Sequence, residues 1–433
     1  MKLSRTKDAD LVLDESGSIV TSVTKRYAWT VTGMACALMT VDFIDRQLIV
    51  AAFPYLKAEW RLSDTQLGAL VSIVLVAVAL GAFPSALLAD RRGRVKAIAA
   101  MGTTWSLATL ACGFAQNFAQ LLAARAVVGA GEAGYGPAAG ALLSAVFPAG
   151  RRATVLGAFQ AAAPLGTLLG VVLGGIIAAQ WGWRAAFGLL AIPGLVLAVA
   201  FLWLRDYRTV RITNLTGSAG QRVRATLAAL VRAPSGVAAV IGGAFQLMVV
   251  ATIYTWLPSY LNRSYGHAVD RAASLTGVVI VAGIVGTIAF AYLADRLGSR
   301  DPRGRLRVPA ALSMATLVML TSAFALLDAG PLQFALILTG GLTMTAAVGP
   351  VAAVMTDVVH PGLRATAISS VSVVQNLLGL AIGPVLTGLL ADLYGLRNAL
   401  AVMPAACGVA ALAFWYVSNH YVRDRNAVAD QSR

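Results

Sequence analysis

Leu88-Ala89-Asp90-Arg91-Arg92-Gly93-Arg94-Val95-Lys96 is a charged loop between two long apolar stretches, and the chain repeats it at Leu293-Ala294-Asp295-Arg296-Leu297-Gly298. Two further echoes follow in the same order. Arg152-Ala153-Thr154 after Pro148 returns as Arg364-Ala365-Thr366 after Pro361, and Gly182-Trp183-Arg184 returns as Gly395-Leu396-Arg397. Three echoes at near-constant spacing mean an internal repeat, two similar halves of one chain.

Around these loops the composition is that of a protein in lipid. Of 433 residues 58% are hydrophobic and only 12% charged, and the mean hydropathy is +0.75; a soluble protein carries roughly 45–50% apolar and about 25% charged residues. Apolar stretches long enough to cross a bilayer recur throughout. They are expected near 27–53, 66–89, 95–115, 119–147, 153–179 and 184–204, then near 236–262, 272–294, 308–328, 331–358, 365–391 and 397–418. The fold class is therefore an all-α membrane protein, with twelve transmembrane helices in two pseudo-symmetric six-helix bundles. Its parts are a tail over 1–26, a bundle over 27–204, a linker over 205–235, a bundle over 236–418 and a tail over 419–433.

The net charge of +15 would suggest a nucleic-acid partner in a soluble protein. Here the basic residues sit in short gaps between apolar stretches, so they report topology. Arg91, Arg92, Arg94, Lys96, Arg151, Arg152, the linker arginines, Arg296, Arg300, Arg303, Arg305, Arg307 and Arg364 all fall on one side. The other side holds little beyond Lys57, Arg61, Arg184, Arg263, Arg271 and Arg397. By the positive-inside rule the first side is cytoplasmic, and both tails lie there. The N-terminal residues lack the apolar core and cleavage site of a signal peptide. The expected location is a multi-pass protein of a bacterial inner membrane, working as a monomer.

The repeated loop has a physical use. A carboxylate at the rim of one half can meet the positive N-terminus of a helix in the other, worth about 0.3–1 kcal/mol when exposed. Asp90 would face the start of helix 11 and Asp295 the start of helix 5, with Arg91, Gly93, Arg94 and Arg296 completing the two gates.

Charges also occur in mid-membrane. Helix 1 carries Asp42, Asp45 and Arg46, and helix 4 carries Arg125 and Glu132. Each costs at least about 2.5–3.5 kcal/mol to insert, so such residues are functional by default and need partners. Asp42 and Arg46 are four apart on one helical face, and Arg125 and Glu132 are seven apart. Two acids and a base on helix 1 can therefore meet a base and an acid on helix 4. A carboxylate with a movable basic partner can alternate between paired and protonated states, and so couple a proton gradient to opening. A static ion-pair lattice is the competing reading. The second half has no comparable charge, so coupling belongs to the first.

The double charged loop resembles the signature loop of the major facilitator superfamily, with Ala86 and Ala291 where that pattern has glycine. Asp45-Arg46, Arg125 with Gly129-Ala130-Gly131-Glu132-Ala133-Gly134-Tyr135, Pro361-Gly362-Leu363-Arg364-Ala365-Thr366-Ala367, Asn376-Leu377-Leu378-Gly379 and Gly383-Pro384 resemble its spinster-type branch. That resemblance implies a secondary transporter for an amphipathic or lipid-like cargo, working by alternating access. Similar residues occur in the anion:cation symporter branch, which implies a carboxylated organic anion. Asp42 stands where the spinster pattern has Asn, a further potential proton carrier, and Asp45 ranks above it because it belongs to the shared pair.

Residues that can line the cavity are Tyr135, Gln160, Gln246, Tyr254, Gln375 and Asn376; Gln160 and Gln375 hold corresponding places in helices 5 and 11. Trp256, beside Pro258 and Tyr260, reads as an interfacial anchor. The glycines of helices 4 and 5 serve close packing, since no Lys-Ser/Thr follows them as a phosphate loop requires. His267, His360 and His420 lack metal-ligand spacing, Cys36, Cys112 and Cys407 are far apart, and no catalytic constellation is visible. No cofactor, metal or nucleic acid is expected; the partners are the bilayer, a small-molecule substrate and protons. A receptor or sensor on a transporter fold is the alternative of another class, disfavoured because it needs neither two gates nor mid-membrane charge.

Overall fold

The computed structural model describes residues 9–13, 19–205, 234–357 and 371–431. The expected linker and the entry to helix 11, with Pro361, Arg364 and His360, lie outside the described residues. A short antiparallel hairpin, Ala9–Leu13 with Ile19–Thr24, precedes the helices.

Thr24 caps helix 1, accepting from the Tyr27 amide at 3.4 Å, and the helix runs Lys25–Trp60. Helices 2 and 3 are Asp64–Arg92 and Arg94–Gly113. Helix 4 is broken into Phe118–Glu132 and Tyr135–Val146, a break that the continuous apolar run did not suggest. Helices 5 and 6 are Ala149–Trp181 and Trp183–Phe201. The second half repeats the plan with helices 7 to 9 at Pro234–Tyr265, Val269–Gly298 and Gly304–Leu326. Helix 10 is again broken, into Pro331–Thr343 and Val348–Asp357. Helix 11 contains a π segment, Gln375–Ala381, followed by Ile382–Tyr394. Helix 12 is Leu396–Val402 with Ala405–Gln431, so it continues through the expected tail and carries His420 stacked on Tyr416.

Ten of the described helical stretches are long and apolar enough to cross a membrane. Helix 1, with its central charges, and the broken helix 4 stand outside that set and complete a count consistent with twelve. Large apolar side chains such as Leu80, Trp203, Leu326 and Leu412 face outward, a surface suited to hydrocarbon. Leu38, Phe53, Trp105, Phe187, Phe324 and Phe414 fill the interior.

The repeat seen in the sequence is structural. Gly182 and Gly395 turn helix 5 into 6 and helix 11 into 12 with φ of 81° and 86°, a region open to glycine. The arginine two residues on then closes a helix end in each half. Arg184 reaches the Ala115 carbonyl at 3.5 Å and pairs with Glu59 at 2.8 Å. Arg397 donates to the carbonyls of Phe324 and Leu327, both at 2.9 Å, and pairs with Asp328. These cations satisfy carbonyls left over at the C-termini of helices 3 and 9. The Arg184 and Trp183 hydrogen bonds hold the rim carboxyl of Glu59 below the usual carboxylate range.

The two halves meet at the end remote from the chain termini. There Arg263 of helix 7 donates to both oxygens of Asp64 at 2.8 Å, and Asp392 of helix 11 accepts from the amides of Asp64 and Thr65. Phe53 packs on Trp256 across the same interface at 5.3 Å. Trp256 is fully buried and donates to the Pro384 carbonyl, which corrects its reading as an interfacial anchor. Its ring closes the joint between helices 1 and 7, where an indole has a carbonyl to bond and no lipid to touch.

Candidate functional site

The mid-membrane charges of helices 1 and 4 come together. Arg46 Nε lies 3.3 Å from Asp42 Oδ1 and 3.0 Å from Glu132 Oε2, so one guanidinium serves two acids. The Asp42 pair is the i, i+4 spacing seen in the sequence. The Glu132 approach is an ion pair by distance but is not aligned as a hydrogen bond, and both Glu132 oxygens are buried without one. The Arg46 guanidinium lies over the Phe43 ring at 4.7 Å, and 17% of its side chain stays exposed while Glu132 is fully buried.

Arg125 does something other than the expected pairing with acids. Its three nitrogens donate to main-chain carbonyls, Leu70 at 3.2 Å, Asp45 at 3.0 Å and Arg46 at 3.3 Å. The fork of a guanidinium suits three fixed acceptors, so Arg125 clamps helix 4 to helices 1 and 2. It leaves Arg46 as the cation in contact with the acids.

Asp45 is fully buried. One oxygen accepts from Thr109 of helix 3 at 3.2 Å, and the other has no partner. Thr109 was not anticipated, because a lone hydroxyl in an apolar helix usually bonds its own backbone and leaves no mark in the sequence. Two close approaches hold the acids in place. A Cβ on Gly170 of helix 5 would come 2.9 Å from Gln47 Cβ of helix 1, and one on Gly131 of helix 4 would come 2.8 Å from the Trp105 amide of helix 3. Glu132 ends the first segment of helix 4, at the break, where its side chain can reach helix 1.

The second half holds a neutral counterpart. Gln246 of helix 7 donates to the Met344 carbonyl, freed at the break of helix 10, at 2.7 Å, and accepts from Ser313 of helix 9 at 2.6 Å. Thr316 and Thr343 are bonded beside it at 2.7 Å. Gln246 is thus a buried tie between helices, which corrects its expected place on the cavity wall. Tyr135 needs the same correction: it is fully buried against Trp105 and Phe159, its hydroxyl bonded to the Ala35 carbonyl at 2.6 Å. Both residues spend their polar atoms inside one half. Gln160 is exposed, and Tyr254, Gln375 and Asn376 are half-buried. Gln375 and Asn376 open the π segment, an irregularity frequent at functional sites.

At the end bearing the termini, Gly93 links helices 2 and 3 with a φ of 93°. Arg94 donates to the Ala141 carbonyl of its own half at 3.0 Å rather than joining an ion pair between halves. The side chains of Asp90 and Arg91 lie outside the described residues. Asp295, near the end of helix 8, pairs with Arg305 in the first turn of helix 9 at 2.6 Å. Arg296 is exposed.

Comparisons with known proteins bear on the fold and the family. The profile of the Major Facilitator Superfamily matches residues 35–380. An MFS-type efflux pump of Mycolicibacterium smegmatis is 30% identical over 92% of this chain and 94% of its own length. A hexuronate transporter of Bacillus subtilis is 26% identical over 82% of this chain and 86% of its own. A bacterial homologue of the human lysosomal transporter spinster, in an inward-facing and occupied conformation, superposes with a TM-score of 0.83 at 22% identity, covering 93% of this chain and 99% of that one.

Proposed function

The chain belongs to the major facilitator superfamily, a family of transporters with an alternating-access fold, and from that premise we propose that it is a proton-coupled carrier of a small organic anion. The observation that carries this reading is the shared guanidinium. Arg46 is held by Asp42 and Glu132 yet remains partly exposed, while Arg125 is spent on the backbone. Three acids therefore stand against one available cation.

That imbalance is the coupling device. A proton on Glu132 or Asp42 loosens its hold on Arg46, which then offers its positive charge to an anionic cargo. Deprotonation returns Arg46 to its acids and weakens the cargo. Asp45, with one hydroxyl and no cation in contact, is the second site at which a proton removes the cost of buried charge. The hexuronate relative carries a carboxylated sugar, the class of cargo a guanidinium holds by paired hydrogen bonds.

An amphipathic, lipid-like cargo is the second reading, and what favours it is the sequence resemblance to the spinster branch. We also assign the basic end, with both termini, to the cytoplasm of a bacterial inner membrane, following the positive-inside rule. The test is uptake into proteoliposomes with and without an imposed pH gradient, over sugar acids, aromatic acids and lysolipids. Gradient-stimulated uptake of an anion that needs Arg46 supports the proposal; uptake unchanged in Arg46→Gln ends it.

A further inference from the structure

We propose that Asp392, Asp64 and Arg263 form a lock at the outer end, joining helix 2 to helices 7 and 11, which must break each time the carrier opens outward. Asp392, in the last turn of helix 11, accepts from the Asp64 and Thr65 amides at 2.8 Å each and from the Thr65 hydroxyl at 2.6 Å. These amides belong to the start of helix 2 and have no acceptor within that helix. The carboxylate supplies both the acceptors and the negative charge that a helix N-terminus favours.

Asp64 carries the second strand of the lock. It is buried, takes Lys57 of its own half at 2.6 Å, and holds Arg263 of the other half through two bonds. Two acids and two bases leave the cluster neutral; parting the halves leaves Asp64 its Lys57 but takes from Arg263 and Asp392 the partners they hold across the interface. Backbone contact lies beneath it. A Cβ on Gly388 of helix 11 would run into the Asp64 carbonyl and lie 3.0 Å from Thr65 Cα. One on Gly68 of helix 2 would meet the Pro384 carbonyl and lie 3.0 Å from Val385 Cα. Deeper still, the Ser72 hydroxyl donates to the Ala381 carbonyl at the end of the π segment, at 2.5 Å.

The pseudo-symmetric joint lacks this device. Asp392 stands three residues before Gly395, and three before its counterpart Gly182 stands Ala179. Helices 5 and 8 meet there through Gly175 and Ala273, and although Asp270 stands in the first turn of helix 8, no carboxylate bonds across that joint among the described residues. Among the described residues the hydrogen bonds between halves all belong to the lock or to Ser72 beneath it. Polar, breakable contacts on one flank and apolar contact on the other make the helix 2 and 11 flank the one whose rupture sets how often the outer end opens. The proposal needs only that the halves rock, so its failure would leave the proton and cargo assignments standing.

The test is a distance measurement between spin labels at Gln180 and Ser264, exposed positions on opposite halves, in a cysteine-free, substrate-free protein without a pH gradient. The wild type should show one short distance. Arg263→Ala and Asp392→Ala should add a longer one, raising the open-to-closed ratio roughly tenfold, as expected for loss of charge-assisted hydrogen bonds. Gly388→Val, which wedges the backbones apart and keeps every charge, should shift the same way. Thr65→Val, which removes only the hydroxyl, should shift less. Where an alanine variant does not fold, Asp392→Asn takes its place, since it keeps the shape and loses the charge. Unchanged distances in the folded Arg263 and Asp392 variants would overturn the lock. So would opening by Gly388→Val alone, because packing would then hold the outer end unaided.

Discussion

Helices 1, 3 and 4 of the first half and helices 7, 9 and 10 of the second are built alike and filled differently. In each half a broken helix ends its first segment beside two neighbours, at Glu132 in one and Thr343 in the other. In the first half the break delivers a carboxylate to Arg46, with Asp42 and Asp45 alongside. In the second it delivers a carbonyl to Gln246, and Ser313, Thr316 and Thr343 close a network of neutral bonds. The neutral network is satisfied. The charged one leaves oxygens of Asp45 and Glu132 without hydrogen bonds, the places that a proton completes in the proposed coupling. One frame carries neutral ties on one side and, under the coupling proposed above, a switch on the other.

The largest expected effect comes from removing the clamp on the charged side. Arg125→Ala strands three carbonyls and deepens the negative charge of the site, so it should cost about 3–5 kcal/mol, seen as a lowered thermal midpoint in detergent together with lost uptake. Arg125→Lys should not rescue it, since an ammonium lacks the planar fork. Full stability in Arg125→Ala would erase the distinction between the halves.

Next comes coupling. Glu132→Gln mimics the protonated acid and should abolish uptake driven by a pH gradient while leaving substrate exchange partly intact. Asp45→Asn should do the same, and Asp42→Asn less, because Arg46 keeps Glu132. Gradient stimulation that survived in both Glu132→Gln and Asp45→Asn would make the first half a scaffold like the second.

Gln246→Leu sharpens the comparison from the other side. It leaves the Met344 carbonyl unpaired and should cost about 1–3 kcal/mol of stability, with the ratio of uptake with and without a gradient unchanged. A lost gradient response there would place coupling in both halves. The smallest effect is at the repeated loop. Asp295 is largely exposed and paired with Arg305, so Asp295→Asn should change stability by less than about 1 kcal/mol and leave the distribution of open states as it was. Asp90→Asn should shift accessibility toward the cytoplasm, measured by labelling of cysteines in the cavity; equal behaviour of the two variants would refute the asymmetry.

Much of this was legible in the chain itself. Lipid has no hydrogen bonds to offer, so apolar stretches of sufficient length must be helices, and the echoes of Leu88-Ala89-Asp90-Arg91, Arg152-Ala153-Thr154 and Gly182-Trp183-Arg184 required two like halves. Buried charge is so costly that Asp42, Asp45, Arg46, Arg125 and Glu132 stood out from one sequence alone. What they do with one another was left to the tertiary structure. Spacing says which side chains share a helical face. It cannot say that Arg125 turns to three carbonyls, that Asp45 finds Thr109, or that Tyr135 and Gln246 spend their polar atoms inside a bundle. Asp64, Arg263 and Asp392 read in sequence as ordinary charges at helix ends, and only the approach of the two halves makes them partners. Helical periodicity is a property of one segment, whereas a hydrogen bond between helices depends on where the other helix has been packed.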